Sequence, residues 1–194
     1  MSNPGWTGPS APAICSLMSH KEVPMLETSD LILRSGSPED GPALHANLWM
    51  HASVFQYLFS RPSPDESAGI QRTAAYAGMH QEVPTEFFVC EKATGQPIGI
   101  AGVKELAPGQ WTITDVAIGP AFQRKGYGMQ IIGALTELAF SRGAQIVAYE
   151  CFAENTASGK LALRCGFTFS HNDAAELSKN GQPVTLAHYI LRKP

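Results

Sequence analysis

The sequence lacks a long apolar run, a long basic run and any closely spaced pair of cysteines. A transmembrane helix needs about 18 consecutive apolar residues, so no membrane span is predicted. The 14 Lys and Arg residues against 17 Asp and Glu give a net charge of −3. This balance argues against nucleic acid or an anionic membrane as the main partner, and we expect neither.

Cysteine is scarce, and no C-x-x-C pair occurs among the four residues Cys15, Cys90, Cys151 and Cys165. Neither a zinc site nor a disulfide framework is therefore predicted, and no metal is expected. A reduced compartment, the cytoplasm, is the simplest interpretation. The N-terminus has no basic segment followed by an apolar stretch, so no secretory signal is predicted.

Residues 1–24 are rich in Gly, Pro and Ser, which predicts a flexible arm. Residues 25–194 are predicted to form a single domain, because a chain of this length can bury roughly 70% of its surface. Turn signals and alternation predict about six to seven strands, at 31–34, 86–91, 97–104, 111–118, 145–152, 167–169 and 184–191. Helical spacing predicts helices at 40–58, 65–80, 127–142 and 155–165. An antiparallel meander followed by a strand–helix–strand unit indicates a mixed α/β (α+β) fold.

The segment that points to chemistry is Gln123-Arg-Lys-Gly126-Tyr-Gly128, here called the glycine loop, between a predicted strand and an amphipathic helix. Consecutive backbone N–H groups at a helix N-terminus suit a phosphate or pyrophosphate. Gly126 and Gly128 would let the backbone approach the anion, and Arg124 and Lys125 add positive charge. Two glycines alone would fit a tight turn with solvated basic residues better than a phosphate site, so the surrounding motifs decide the interpretation.

The glycine loop matches the Q/R-x-x-G-x-G/A signature of the GNAT (general N-acetyltransferase) superfamily. Three weaker matches accompany it: Asn155-x-x-Ser158 with the following Leu161–Phe167, the opening Leu26–Arg34, and the hairpin Gly95–Gly102. Together these motifs resemble the RimJ/RimL-like branch, and the resemblance covers about residues 26–192. It implies a GNAT fold, with a mostly antiparallel central sheet flanked by helices and splayed between the fourth and fifth strands.

The resemblance also implies a reaction, the transfer of an acetyl group from acetyl-CoA to a primary amine by direct attack in a ternary complex. The acceptor could be a protein N-terminus. The pyrophosphate would lie on the N–H groups of residues 124–129, and the pantetheine arm would pair with the strand at Val116–Ile118. The implied cofactor-binding residues are Val116, Ala117, Ile118, Gln123, Arg124, Lys125, Gly126, Tyr127, Gly128, Met129, Asn155 and Ser158. Ser158 would also hold or protonate the departing thiolate.

Two departures from the family pattern stand out. Asp30 occupies a position that is usually Arg, and Ala162 stands where many GNAT enzymes place a tyrosine as general acid. A base must deprotonate the amine, and Asp115 and Glu150, on the strands flanking the splay, are the candidates; each could instead be a solvent-facing carboxylate. Cys151 is not predicted to be a nucleophile, because no His is placed to activate it.

Other functions remain open from the sequence alone. The acceptor could be a small-molecule amine such as an aminoglycoside, polyamine or amino-acid derivative, or the chain could be a non-catalytic acyl-CoA-binding regulatory module. The protein could be a monomer or a homodimer. Segment 38–85 holds five acids against two bases, which would favour a cationic acceptor unless the acids only serve helix N-termini. These residues are Glu39, Asp40, Asp65, Glu66 and Glu82, against Arg61 and Arg72.

Overall fold

A computed structural model describes residues 24–82 and 85–194. The arm predicted over residues 1–24 lies outside the described residues, apart from Pro24. Within these two ranges, no helix has the length and apolar character needed to cross a membrane.

The fold is built on one eight-stranded sheet with the order β1-β2-β3-β4-β5-β6-β8-β7. Neighbouring strands are antiparallel except β5 and β6, which run parallel. The strands are β1 Leu26–Glu27, β2 Leu31–Arg34, β3 Glu86–Glu91, β4 Pro97–Ala107, β5 Gln110–Ile118, β6 Ile146–Phe152, β7 Thr168–Leu177 and β8 Pro183–Arg192. The two-residue β1 is the strand added to those predicted, and β7 is longer than the predicted 167–169.

Helices cover both faces of the sheet: α1 Gly41–Leu44, α2 Glu66–Glu82, α3 Tyr127–Ser141 and α4 Thr156–Arg164. On one face, Ile131, Ile132 and Leu135 of α3 are fully buried against the sheet, as their helical spacing predicts. On the other face, a smaller cluster joins Leu44 and Trp49 to the strands. Both faces of the sheet are therefore covered by packed side chains.

The prediction of one regular helix over residues 40–58 is wrong. The chain forms a 3₁₀ turn at Pro38–Asp40, then α1, then a π-helical turn at His45–Trp49 and a 3₁₀ turn at Val54–Tyr57. Tertiary contacts replace helical regularity here. Asn47 Nδ2 donates to the Pro97 carbonyl at 2.9 Å, and a Cβ at Gly119 would overlap the Asn47 carbonyl oxygen.

The sheet splays between β5 and β6, the fourth and fifth strands of the sequence prediction. The two strands pair only from Gln110–Ile146 to Thr112–Ala148 and then diverge. A bulge follows on β5, where Asp115 and Val116 together oppose Ala101 of β4, and Asp115 has a left-handed φ of 47°. A bulge bends its strand and increases the local twist, which accounts for the divergence. On its other edge, β5 stays paired with β4 through Ile118.

Candidate active site

A cavity of about 110 Å³ occupies the splay between β5 and β6, here called the cleft. All three predicted catalytic residues line it, and so do three residues of β6 and α4's N-terminus that surround them. The functional lining is Asp115, Tyr149, Glu150, Cys151, Asn155 and Ser158. The structure thus brings together groups that are more than 40 positions apart in the sequence.

The glycine loop presents backbone donors at the start of α3. Arg124 and Gly126 both have left-handed backbones, with φ of 63° and 82°, and a Cβ at Gly126 would meet no atom within 4 Å. In the described part of the chain, no backbone carbonyl accepts a hydrogen bond from the N–H groups of residues 124–128. The Met129 N–H, also predicted to bind phosphate, donates to the Gly126 carbonyl at 3.1 Å. Backbone N–H groups without an internal acceptor at the start of a helix are able to bind an anion.

Two side chains of the glycine loop are engaged by Glu91, a buried residue at the end of β3. Tyr127 is buried and donates its hydroxyl to Glu91 Oε1 at 2.8 Å, and Lys125 Nζ lies 3.2 Å from the same oxygen. The hydrogen bond from Tyr127 is the main reason that the pKa of Glu91 is lowered. Tyr127 can therefore contact an anion only through its backbone, and Lys125 is partly neutralised.

Two further residues of the predicted set brace the glycine loop. Gln123 Nε2 donates to the Ile118 carbonyl at 2.9 Å, which ties the loop to the end of β5. The second glycine has a packing role, because a Cβ at Gly128 would lie 2.8 Å from Cδ2 of Leu161 on α4. The structure thus separates the two glycines: Gly126 faces open space, and Gly128 allows α3 and α4 to approach.

The predicted pantetheine strand, Val116–Ile118, has one paired and one unpaired edge. Ala117 pairs with Ile100 of β4, while β6 has already diverged. Among the described residues, no strand pairs with this stretch on the cleft side. An extended ligand can add to such an edge by main-chain hydrogen bonds.

Asn155 and Ser158 form the N-terminus of α4. The Oδ1 of Asn155 accepts from the Ser158 backbone N–H at 3.1 Å, which caps the helix. Because Oδ1 serves the cap, the Nδ2 of the same amide is the group that can donate to a ligand. Ser158 Oγ lies 2.7 Å from the hydroxyl of Tyr149.

Tyr149 is a functional candidate that the sequence analysis missed. It lies on the buried face of β6, and burial raises its pKa to about 12. Ala162, at the position where many GNAT enzymes have a tyrosine, is fully buried on α4 and offers no hydroxyl. The hydroxyl of Tyr149, from β6, lies beside Ser158 instead. The alternation of Val147, Tyr149 and Cys151 along the strand was a signal for their shared face, but only the tertiary structure places α4 over it.

The two candidate bases differ in their surroundings. The carboxylate of Asp115 is exposed at one edge, yet the protein around it limits its hydration and raises its pKa. Nearby Glu86 also has a raised pKa, from burial first and then from the charge of Asp115. Glu150 Oε1 instead lies 3.3 Å from His188 Nδ1 on β8. The surroundings of Asp115 thus make its carboxylate more basic than that of an ordinary aspartate, whereas Glu150 faces an imidazole.

Cys151 and two acids of segment 38–85 have surroundings that account for them structurally. Burial raises the pKa of the Cys151 thiol, which opposes a reactive thiolate. Asp40 pairs with Arg34 at 2.7 Å and accepts from the Ser37 N–H at the helix start at 3.0 Å, and Asp65 accepts from the Ala68 N–H at the start of α2 at 2.8 Å. The side chain of Glu82 lies outside the described residues. For Asp40 and Asp65 the helix-end interpretation holds.

Comparison with known families agrees with this geometry. The family model described as the acetyltransferase (GNAT) domain matches residues 30–168. The chain therefore belongs to the GNAT family of acyltransferases, as the glycine loop indicated.

Individual relatives and solved structures are similar to this chain over most of its length. The chain is 26% identical over 174 residues to the uncharacterized N-acetyltransferase YoaA of Bacillus subtilis (strain 168), covering 88% of this chain and 98% of YoaA. An acetyltransferase structure from Salmonella typhimurium, titled as modifying the N-terminal serine of 50S ribosomal subunit protein L7/L12, superposes with a TM-score of 0.72. It is 19% identical, and the match covers 88% of this chain and 100% of that one. The self-immunity acetyltransferase MccE, solved with acetyl-CoA and AMP, also gives 0.72 at 19% identity, covering 86% and 94%. The likeness to these two structures shows that the chain shares their fold.

Proposed function

We propose that the protein transfers the acetyl group of acetyl-CoA to the primary amine of a cationic acceptor, with a protein N-terminus as the leading candidate. One observation carries this proposal: β5 has an unpaired edge at Val116–Ile118 beside the cleft and leads directly into the glycine loop, where the N–H groups of residues 124–128 donate to no backbone carbonyl of the described residues. An extended chain ending in a pyrophosphate fits both features. The acetyl thioester would then lie in the cleft.

The residues of the cleft divide the reaction between them. Asp115 removes a proton from the acceptor ammonium, and the neutral amine attacks the thioester carbonyl. The C–S bond breaks as the N–C bond becomes an amide; Ser158 gives its hydroxyl proton to the departing sulfur, and the proton that the attacking nitrogen loses restores the serine hydroxyl. The products are the N-acetylated amine and CoA. Direct attack needs no enzyme nucleophile, which agrees with the raised pKa of Cys151.

The acceptor side supports an amine that approaches as a cation. Asp115 and Glu150 both line the cleft, and Tyr57 and Leu58 form a further part of its wall. The turn between β7 and β8 closes over this wall, because Lys179 Nζ donates to the Phe55 and Leu58 carbonyls. The Salmonella typhimurium neighbour modifies the N-terminus of a protein, whereas MccE was solved with AMP, a small molecule, beside acetyl-CoA. A small-molecule amine is therefore the second candidate.

CoA release from acetyl-CoA, measured with a thiol reagent over an acceptor panel, tests the proposal. The panel pairs peptides having a free N-terminus with the same peptides blocked at the N-terminus, and adds polyamines, aminoglycosides and amino-acid amides. Release only with free N-termini supports the leading acceptor, and release only with small amines selects the second. Acetyl-CoA binding without release for any amine would indicate the regulatory module instead. Absence of binding would overturn the proposal.

A further inference from the structure

Two histidines and an aspartate meet on the sheet face beside the cleft. His171 and Asp173 lie on the same face of β7, and His188 lies directly opposite His171 on β8. Glu150 of β6 lies opposite His188 on its other side. Ligand atoms of His171, Asp173 and His188 all lie within 4.8 Å of one another.

From this arrangement we propose a divalent transition-metal site, of the kind that takes Zn²⁺, formed by Nε2 of His171, Nε2 of His188 and the Asp173 carboxylate. A tetrahedral zinc ion bound at about 2.0–2.1 Å holds neighbouring ligand atoms about 3.3 Å apart. Asp173 Oδ2 lies 3.1 Å from His188 Nε2, and the other oxygen of the same carboxylate, Oδ1, lies 3.5 Å from His171 Nε2. Both distances are close to that edge length.

Each imidazole has its Nδ1 beside an outer polar group and its Nε2 beside Asp173. His188 Nδ1 lies 3.3 Å from Glu150 Oε1, and His171 Nδ1 lies 2.9 Å from Ser170 Oγ. A histidine that binds a metal through one ring nitrogen usually donates from the other to a carboxylate or another acceptor. When His188 donates Nδ1–H to Glu150, its Nε2 carries a lone pair.

In the absence of a cation, the lone pair on His188 Nε2 lies close to a carboxylate oxygen of Asp173, which is unfavourable. His188 Nε2 is buried, and within the described residues it makes no hydrogen bond, although Asp173 Oδ2 lies only 3.1 Å away. Two acceptors at this separation repel each other, and a bound cation bridges them. The ligands of this site are histidine and aspartate from two strands. The prediction of no metal rested on the spacing of the cysteines, which carries no information about such a site.

Ligand closure requires one local movement. The two imidazole rings are stacked, with centroids 4.5 Å apart and planes within 2°. His171 is the ligand that can tilt, since its side chain is 55% exposed, whereas that of His188 is only 16% exposed. With water as a fourth ligand, the metal would fasten the β7–β8 hairpin to β6 beside Glu150.

The test uses the full chain prepared without a polyhistidine tag and stripped of metal with a chelator that is then removed. Zn²⁺ is titrated against a chromophoric chelator, and Co²⁺ is titrated with its visible absorption as a report on tetrahedral nitrogen and oxygen ligation. The variants are His171→Gln and Asp173→Asn, both at exposed positions, and His51→Gln serves as a control outside the cluster. Circular dichroism establishes that each variant is folded.

We expect one Zn²⁺ per chain and a loss of at least tenfold in affinity for His171→Gln and Asp173→Asn, with His51→Gln unchanged. Mg²⁺ should compete poorly, because nitrogen ligands favour zinc and cobalt. Three results would overturn the site: no saturable Zn²⁺ binding, equal affinity in wild type and His171→Gln, or equal competition by Mg²⁺. None of these readouts depends on acetyl transfer, so the site and the proposed function can fail separately.

Discussion

The hydroxyl of Tyr149 on β6 lies 2.7 Å from Oγ of Ser158 on α4. Because the pKa of Tyr149 is raised to about 12, mainly by burial, the phenol keeps its proton throughout the neutral range. When that proton is donated to Ser158 Oγ, the serine's own hydrogen is directed away from Tyr149 and toward the cleft. Tyr149 is thus a positioning residue for the group that would assist the departing sulfur.

Tyr149→Phe should therefore lower kcat by roughly 10- to 100-fold and leave the KM for acetyl-CoA within about twofold. The matched control is Tyr189→Phe, because the Tyr189 hydroxyl lies over Gly159 of the same helix. Steady-state kinetics on the two folded variants provides the measurement. Equal losses in both variants would show that the phenols only support the packing of α4.

Ser158→Ala should lower kcat by roughly 10- to 1,000-fold if the hydroxyl assists thiolate departure, while acetyl-CoA affinity changes little. Cys151→Ala is the companion variant, since Cys151 also lines the cleft but has a raised pKa. It should remain active. Calorimetry separates binding from turnover: a loss confined to affinity would make Ser158 a binding residue, and a trapped acetyl-Cys151 would contradict direct transfer.

Local patterns were sufficient for much of the fold. The apolar spacing of α3 and the glycine loop before it could be predicted because both depend on contiguous residues, and their motif led to the family. The breaks in the helix after Pro38 could not be predicted. They depend on contacts of Asn47 with Pro97 and Gly119, which are 50 or more positions away in the sequence.

The candidate site shows the same division. Ser158, Asp115 and Glu150 could be named from motif and strand position. The partners that surround the site residues are distant in sequence. Lys125 of the glycine loop donates to Glu91, 34 positions away, and Glu150 lies beside His188 of another strand. The bulge at Asp115 depends on the left-handed φ of a non-glycine residue, which the surrounding sheet holds in place and the sequence does not signal.

Gly126→Glu should abolish measurable acetyl-CoA binding, because it places a carboxylate at the amides that would hold the pyrophosphate. The strain of a side chain at its φ of 82° needs a control, and Gly143→Glu supplies one. Gly143 has a φ of 98°, also has no atom within 4 Å of a Cβ, and lies beyond the opposite end of α3. Calorimetry should show normal binding for Gly143→Glu, and unchanged affinity in Gly126→Glu would refute the anion-binding role of the glycine loop.

Asp115 gives a pH prediction whose sign follows from its raised pKa. A general base acts only when ionised, so kcat should fall as the pH drops through the pKa of this group. Because burial raises that pKa, the fall should begin above the range of an ordinary aspartate, about 3.9. Asp115→Asn should remove this limb and lower kcat by roughly 100-fold or more. Glu150→Gln is the paired variant: it should keep the limb, since its partner His188 occupies the carboxylate. The kcat–pH profiles of the three proteins decide between them, and a limb that survives in Asp115→Asn but disappears in Glu150→Gln would assign the base to Glu150.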